Sequence, residues 1–360
     1  MNYRTHLFVW ILALVPLYLG AQVYSEQMVR NFAISSKSTI EVNNKYGKVH
    51  VVTWSKDSVK FVVDMRVSAS DQQKLEKLKS SITFDFTSTN YYIVARTLFS
   101  KSGGIFSDMV ETVVPSNNVS INYTVYLPAN ANLKIDNKFG DVYIDDFSGN
   151  LGLILSNGAL KSNRLEGNTS IQLSSADALI KSIVNGTITL RYSDFELASA
   201  NRLDLDTKYS NITLEKVNQM KVISRRDNYK IGQVNVLSGT GDFTKLRVGA
   251  LQREMNFSNK YYSLVVEDIN TQFSLVNVVS DLTDVELRFA RGSSFNLDVT
   301  HHPEVYLTVP TINSKLQTKE LGGEEKLLLT YGTLGTSTSE NLPKVKILAE
   351  RKCYINIIQK

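Results

Sequence analysis

The sequence is poor in the residues that make chemistry easy to recognise. It has one cysteine, four histidines, two tryptophans and six prolines in 360 residues. A single thiol, Cys353, excludes an internal disulfide, so a packed core must hold the fold. A chain of this length has enough material for one. No His-Glu-x-x-His or Cys-x-x-Cys spacing is present, and zinc chemistry therefore lacks its usual ligand pattern. There is no Gly-x-Ser-x-Gly elbow. Gly239-Thr240-Gly241 is not followed by the helix that a phosphate loop needs, and it reads as a corner.

Long apolar runs are also missing. Leu7 to Leu19 is uncharged but shorter than the about 20 residues of a membrane span. Arg4 precedes it and Leu19-Gly20-Ala21 follows, which is the pattern of a secretory signal peptide over 1–21. Cleavage after Ala21 leaves a chain beginning at Gln22, with no cysteine there for lipidation. The strands look too short for an outer-membrane barrel, and the chain ends in the polar Gln359-Lys360. Charge is weak as well. Removing Arg4 leaves 40 − 1 = 39 basic against 35 acidic residues, a net of +4, too small and dispersed for nucleic acid. Arg225-Arg226, the densest basic spot of the repeats, reads as a solvated face.

Helix signals are confined to Ser70–Ser80, where Ser70-Asp71 can cap and Leu75 and Leu78 recur at helical spacing. Elsewhere the period is two. Val119 to Leu127 alternates apolar and polar residues, so one face is buried, and Pro128 ends the strand. Strands are expected at Thr39–Val42, Lys48–Val52, Val59–Met65, Ile82–Phe86 and Tyr91–Ala95, with a Gly/Ser loop at Ser100–Phe106.

From about Leu133 a unit recurs: short strand, polar-aromatic corner, second short strand, turn. The first apolar residue after each corner gives Val142, Leu160, Leu179, Phe195, Ile212, Ile231, Leu246, Leu264 and Val285, at spacings of 15 to 21. A unit this short cannot bury its own apolar face, but stacked copies can. Asn157-Gly158, Asn185-Gly186, Ser210-Asn211 and Gly239 to Asp242 supply corner residues. Phe139, Tyr192, Tyr209 and Tyr261 or Tyr262 would stack in register from copy to copy.

The expected fold is therefore all-β: a single-stranded β-solenoid, like a parallel β-helix, with coils of roughly 15–21 residues. A β-sandwich with regular hairpins is the competing architecture. The expected division is a signal peptide at 1–21, a β-rich region with one helix at 22–130, repeats at 131–292 and a cap at 293–360. Within the last part, Thr318–Gly323 and Gly332–Glu340 read as loops, and Val345–Leu348 and Cys353–Ile358 as closing strands.

Two motifs carry a family resemblance: Asn44-Lys45-Tyr46-Gly47-Lys48-Val49 and Asn137-Lys138-Phe139-Gly140-Asp141-Val142. Their order matters too. One copy comes early, an excursion ends in Tyr126-Leu127-Pro128, and the copies then become continuous. In this the chain resembles the candidate-adhesin β-solenoid proteins of the bacterial cell envelope. Later copies, such as Tyr192-Ser193 and Tyr209-Ser210, lack the glycine. The resemblance implies surface or envelope binding and brings no catalytic residue, cofactor or metal ligand.

The residues themselves offer little chemistry. His50, His301 and His302 remain after the signal, and neighbours on a strand such as His301-His302 point to opposite faces. Asp136, Asp141, Asp145 and Asp146 could serve glycoside hydrolysis or calcium, but aspartate is also a favoured corner residue. Asn118, Asn122, Asn168, Asn185, Asn211 and Asn256 begin Asn-x-Ser/Thr sequons, which an Asn/Ser/Thr-rich corner vocabulary produces anyway. Cys353 reads as a small buried hydrophobe. No catalytic, cofactor or metal residue is assigned. The expectation is an exported, non-catalytic envelope or surface protein, adhesin-like, with a glycan or envelope protein as suspected partner. The alternatives are a carbohydrate-active β-helix enzyme and a periplasmic accessory or signalling partner.

Overall fold

The computed structural model describes residues 22–35, 38–100, 118–323, 326–339 and 341–360. The expected signal peptide and residues 101–106 of the expected Gly/Ser loop lie outside them. The described chain is all-β with one helix, and its strands form one open sheet.

The first part holds β1 (Gln22–Ala33), β2 (Thr39–Lys45), β3 (Val49–Trp54), β4 (Ser58–Ala69), α1 (Gln72–Ser80), β5 (Ile82–Ser88), β6 (Tyr92–Phe99) and β7 (Val119–Pro128). The period-two stretch at 119–127 alternates strictly between buried and half-buried in β7. The helix begins where Asp71 accepts a hydrogen bond from the Lys74 amide, an N-cap, and it buries Leu75.

The middle holds β8 (Asn132–Lys138), β9 (Val142–Ile144), β10 (Leu151–Ser156), β11 (Ala159–Ser174), β12 (Asp177–Arg191), β13 (Asp194–Lys208), β14 (Asn211–Arg225), β15 (Asn228–Ile269) and β16 (Leu275–Phe289). Neighbours from β11 to β15 pair in parallel. Val142, Leu160, Ala178, Phe195, Ile212 and Tyr229 form one inward column, at offsets of 17 or 18 residues. Ile135, Leu153, Ile171, Ile188, Leu205 and Val222 form a second. Both columns are buried in one continuous core. Two sequence anchors therefore move. Ala178, not Leu179, faces inward, and Leu179 is 54% exposed. Tyr229, not Ile231, holds the equivalent place one unit later. Ladder pairing decides the inward position, and it outranks side-chain size. Gly239–Asp242 is also strand, paired with Val222–Arg225, and the corner falls at Phe243.

The last part holds β17 (Phe295–His301), β18 (Tyr306–Thr308), β19 (Ser314–Glu320), β20 (Leu328–Leu334), β21 (Lys344–Ala349) and β22 (Tyr354–Gln359). The expected loops at 318–323 and 332–340 each overlap a strand, because β20 pairs antiparallel with both β17 and β19. A long-range edge supplies pairing that the local pattern does not announce. The closing strands do not close the sheet: β21 lies between β16 and β17, and β22 between β16 and β18. The first part does the same. β2 lies between β6 and β8, and β3 between β7 and β9.

Candidate functional site

One corner recurs with left-handed backbone at Tyr46, Phe139, Asn157, Ser175, Tyr192, Tyr209, Arg226, Phe243 and Tyr261. Aromatic residues rarely adopt φ near +55°, so each aromatic position stores strain. Stacking offsets it. Tyr192 and Tyr209 stack at 4.9 Å, Phe243 and Tyr261 at 4.3 Å, and Tyr46 and Phe139 at 5.5 Å. Arg226 fills the remaining step, its guanidinium carbon 5.4 Å from the ring centres of both Tyr209 and Phe243. Arg226 is exposed, as the sequence reading of a solvated face expects, and in addition it bridges two rings. Only an alignment of the corner register exposes this, since Arg226 and its ring partners are each 17 residues apart.

The Asn-Lys-aromatic-Gly motif has a physical reading here. Asn137 is fully buried and donates to the Gly140 carbonyl at 2.8 Å. Lys45 lies over the rings of Tyr46 and Phe139. A Cβ on Gly140 would run into the Gly47 carbonyl oxygen, so the corner backbones pack too closely for a side chain. Later copies replace the glycine by Ser193, Ser210 and Asp227, whose side chains accept from the amides of Ala176, Ser193 and Ser210. Asp227 also accepts from Thr207, Ser224 and the Arg225 amide at 2.6–2.9 Å. Tyr229, buried beside it, bonds Thr207, and burial pushes its phenol far above the usual range.

The opposite corner carries amides. Asn201, Asn218 and Asn235 fall at steps of 17, and each later side-chain NH2 donates to the preceding oxygen, at 3.0 and 2.9 Å. Asn270 donates to Gln252 at 3.1 Å. These residues line a shallow groove of about 770 Å³ that Lys216, Gln233 and Arg253 also border. Each donating amide of the row spends one N–H on its neighbour and keeps the other for a ligand.

The aspartates that the sequence singles out do not gather into one metal-binding cluster among the described residues. Asp141 accepts from the Ala159 amide and the Tyr143 hydroxyl, and Asp146 from Arg164, whose pairing holds its carboxyl below the usual range. A second groove, about 490 Å³, is lined by Asp145, Glu196 and Glu215. Asp145 sits three or four strand steps from the other two, at about 4.8 Å per step, whereas Glu196 and Glu215 are diagonal neighbours on adjacent strands, about 7–8 Å apart. Lys161 and Lys181 border the same groove. Among the described residues no group of three His, Cys, Asp or Glu side chains could hold a metal. His301 is buried with Nε2 3.4 Å from the Thr330 hydroxyl, and its Nδ1 faces the His302 carbonyl. Cys353 is buried against the Ser280 hydroxyl, and burial pushes its thiol up. Of the sequon residues, Asn168 and Asn185 lie together in a small groove, whereas Asn211 and Asn256 bond the side chains of Asp194 and Asn277.

No family model and no curated protein match the chain. Among solved structures it is similar to a candidate cell adhesion protein from Clostridium sporogenes, at 12% identity over 94% of this chain and 100% of that one, with a TM-score of 0.19. It is similar to a candidate adhesin from Bacteroides fragilis, at 12% identity over 72% and 96%, with a TM-score of 0.31. A candidate lipid-binding protein from Parabacteroides distasonis gives 10% identity over 72% and 96%, also at 0.31. Adhesin names thus recur among the structures that this chain resembles, and no residue role passes from them to it.

Proposed function

We propose that this protein is an exported, non-catalytic binding protein of the bacterial cell envelope, adhesin-like, whose parallel ladders wind as a β-solenoid. The offset of 17 or 18 residues between neighbouring strands from β11 to β15, and the two recurring corners, support the winding. On this reading 22–130 and 293–360 flank a repeat body at 131–292, and 1–21 is removed on export. The amide groove carries the functional reading. It is a preformed row of donors and acceptors that binds with little ordering cost, and it suits a hydroxyl-rich glycan or the backbone of an envelope protein. Asp141 and Asp146 are each engaged by a bond of their own, which favours a structural role for them over hydrolysis.

Protease shaving of intact cells, read with an antibody against residues 22–360, tests the location. Loss of signal supports the adhesin reading. Protection until the outer membrane is broken would overturn it in favour of a periplasmic accessory role.

A further inference from the structure

The aromatic column at the left-handed corner is interrupted. Rings stand at Tyr46 and Phe139, then the two next steps hold Asn157 and Ser175, then rings resume at Tyr192. We propose that this gap is a carbohydrate slot, which takes pyranose rings between the faces of Phe139 and Tyr192. The inference rests on the binding reading above but uses the corner opposite the amide groove.

The geometry of the walls comes first. Phe139 stacks on Tyr46 with one face, and Tyr192 on Tyr209 with one face. Their other faces look into the gap without a ring partner among the described residues, and the two side chains are 44% and 61% exposed. They stand three strand steps apart, about 14 Å at about 4.8 Å per step. Two ring layers are therefore missing at the strand spacing. That spacing is wider than close aromatic stacking needs. A saturated, puckered six-membered ring is thicker than an aromatic one and presents C–H bonds on its faces, which suit the negative face of an aromatic ring. One pyranose on each wall fills both missing layers.

The floor supplies the polar half of the recognition. Asn157, Ser174 and Ser175 are exposed, and their side chains form no hydrogen bond to any described residue, so an amide and two hydroxyls are free to bond sugar hydroxyls. Residues just before the corner are basic along most of this column: Lys45, Lys138, Arg191, Lys208, Arg225 and Lys260. At the gap they give way to Ser156 and Ser174. The gap is thus a neutral hydrogen-bonding floor between two apolar walls, the usual make-up of a site for an uncharged polar ligand.

The test is calorimetric titration of the purified chain with cellotetraose and with chitotetraose. Binding of at least one is expected. Asn157→Tyr/Ser175→Tyr would place rings in the gap, on backbone of the kind that already carries tyrosine at 192 and 209. This variant should weaken binding at least tenfold with an unchanged or higher melting temperature. Phe139→Ala should weaken it by a similar factor. Lys346→Ala, an exposed change on β21 outside both grooves, should leave the titration unchanged, and cell shaving reports location alone, so this site and the adhesin reading fail separately. No binding of either sugar by the native chain, or undiminished binding by the plugged variant, overturns the proposal.

Discussion

At the scale of single residues, the later corners are held by Asp227. Its carboxylate accepts from two hydroxyls and two backbone amides while only 4% exposed. Asp227→Ala would orphan the Ser210 and Arg225 amides, while the Thr207 and Ser224 hydroxyls keep Tyr229 and Thr244 as partners. Each buried unpaired group costs about 1–3 kcal/mol, so a loss of several kcal/mol is expected in urea unfolding. The same measurement on Asn211→Ala, whose exposed side-chain amide donates to Asp194, should change little. Cys353 gives a second residue-level expectation. The thiolate is the reactive form, and burial disfavours it. A disulfide reagent such as Ellman's should leave the native protein unlabelled and react fully in denaturant. Fast labelling of the native chain would contradict its placement against Ser280.

At the scale of elements, the corner stacking sets what each position tolerates. Gly140→Ala would drive a Cβ against backbone rather than against a movable side chain. Thermal unfolding should therefore show a loss of about 2–4 kcal/mol, in the range of overpacked or strained sites. Gly152→Ala, whose Cβ would meet only the Lys134 side chain at 3.6 Å, should be mild. The ion pair of Asp281 with Arg351 joins β16 to the turn between β21 and β22, with Lys260 also close. The Arg351 hydrogen bonds, and then the nearby positive charges, hold the Asp281 carboxyl below its ordinary 3.8. A depressed folded value stabilises above the unfolded one and is lost as pH falls through the folded one. Asp281→Asn should therefore lower the urea midpoint at neutral pH, and the difference from the native chain should shrink well below pH 3.8.

Legibility in the sequence followed the same scales. The period of two at 119–127 and the turn chemistry around Asn157-Gly158 are local signals, and the structure has β7 and a left-handed corner there. The inward choice of Ala178 over Leu179 is not local, because pairing with Leu160 and Phe195 decides it. Nor is Arg226 as a ring partner, which depends on Tyr209 and Phe243 one step to either side. Gly239–Asp242 misleads for a related reason: pairing with Val222–Arg225 outweighs its turn-rich composition. The amide row is hidden because asparagine is common everywhere in this chain, and only the 17-residue register selects Asn201, Asn218 and Asn235.

At the scale of the whole molecule, both ends place a strand out of sequence order. β21 and β22, the last strands described, pair on both sides, and Val345, Ile347, Ile355 and Ile357 are buried. Removing residues 344–360 would therefore do more than shorten a tail. It would open the ladder between β16 and β17, strip two rows of the core and leave β17 without β21 and β18 without β22. β1 is the contrary case. Among the described residues it pairs with β4 alone and is exposed along most of its length, with Tyr24, Met28 and Phe32 only partly packed against the core. Terminal segments tolerate loss according to burial and hydrogen bonding, and position in the sequence is a poor guide. Deletion of 344–360 is thus expected to abolish soluble, cooperatively unfolding protein, whereas deletion of 22–33 should leave a folded chain with a lowered melting temperature. Circular dichroism melts of the two truncations check this, and a folded, cooperative 344–360 deletion would show that the interleaved strands do not hold the two parts together.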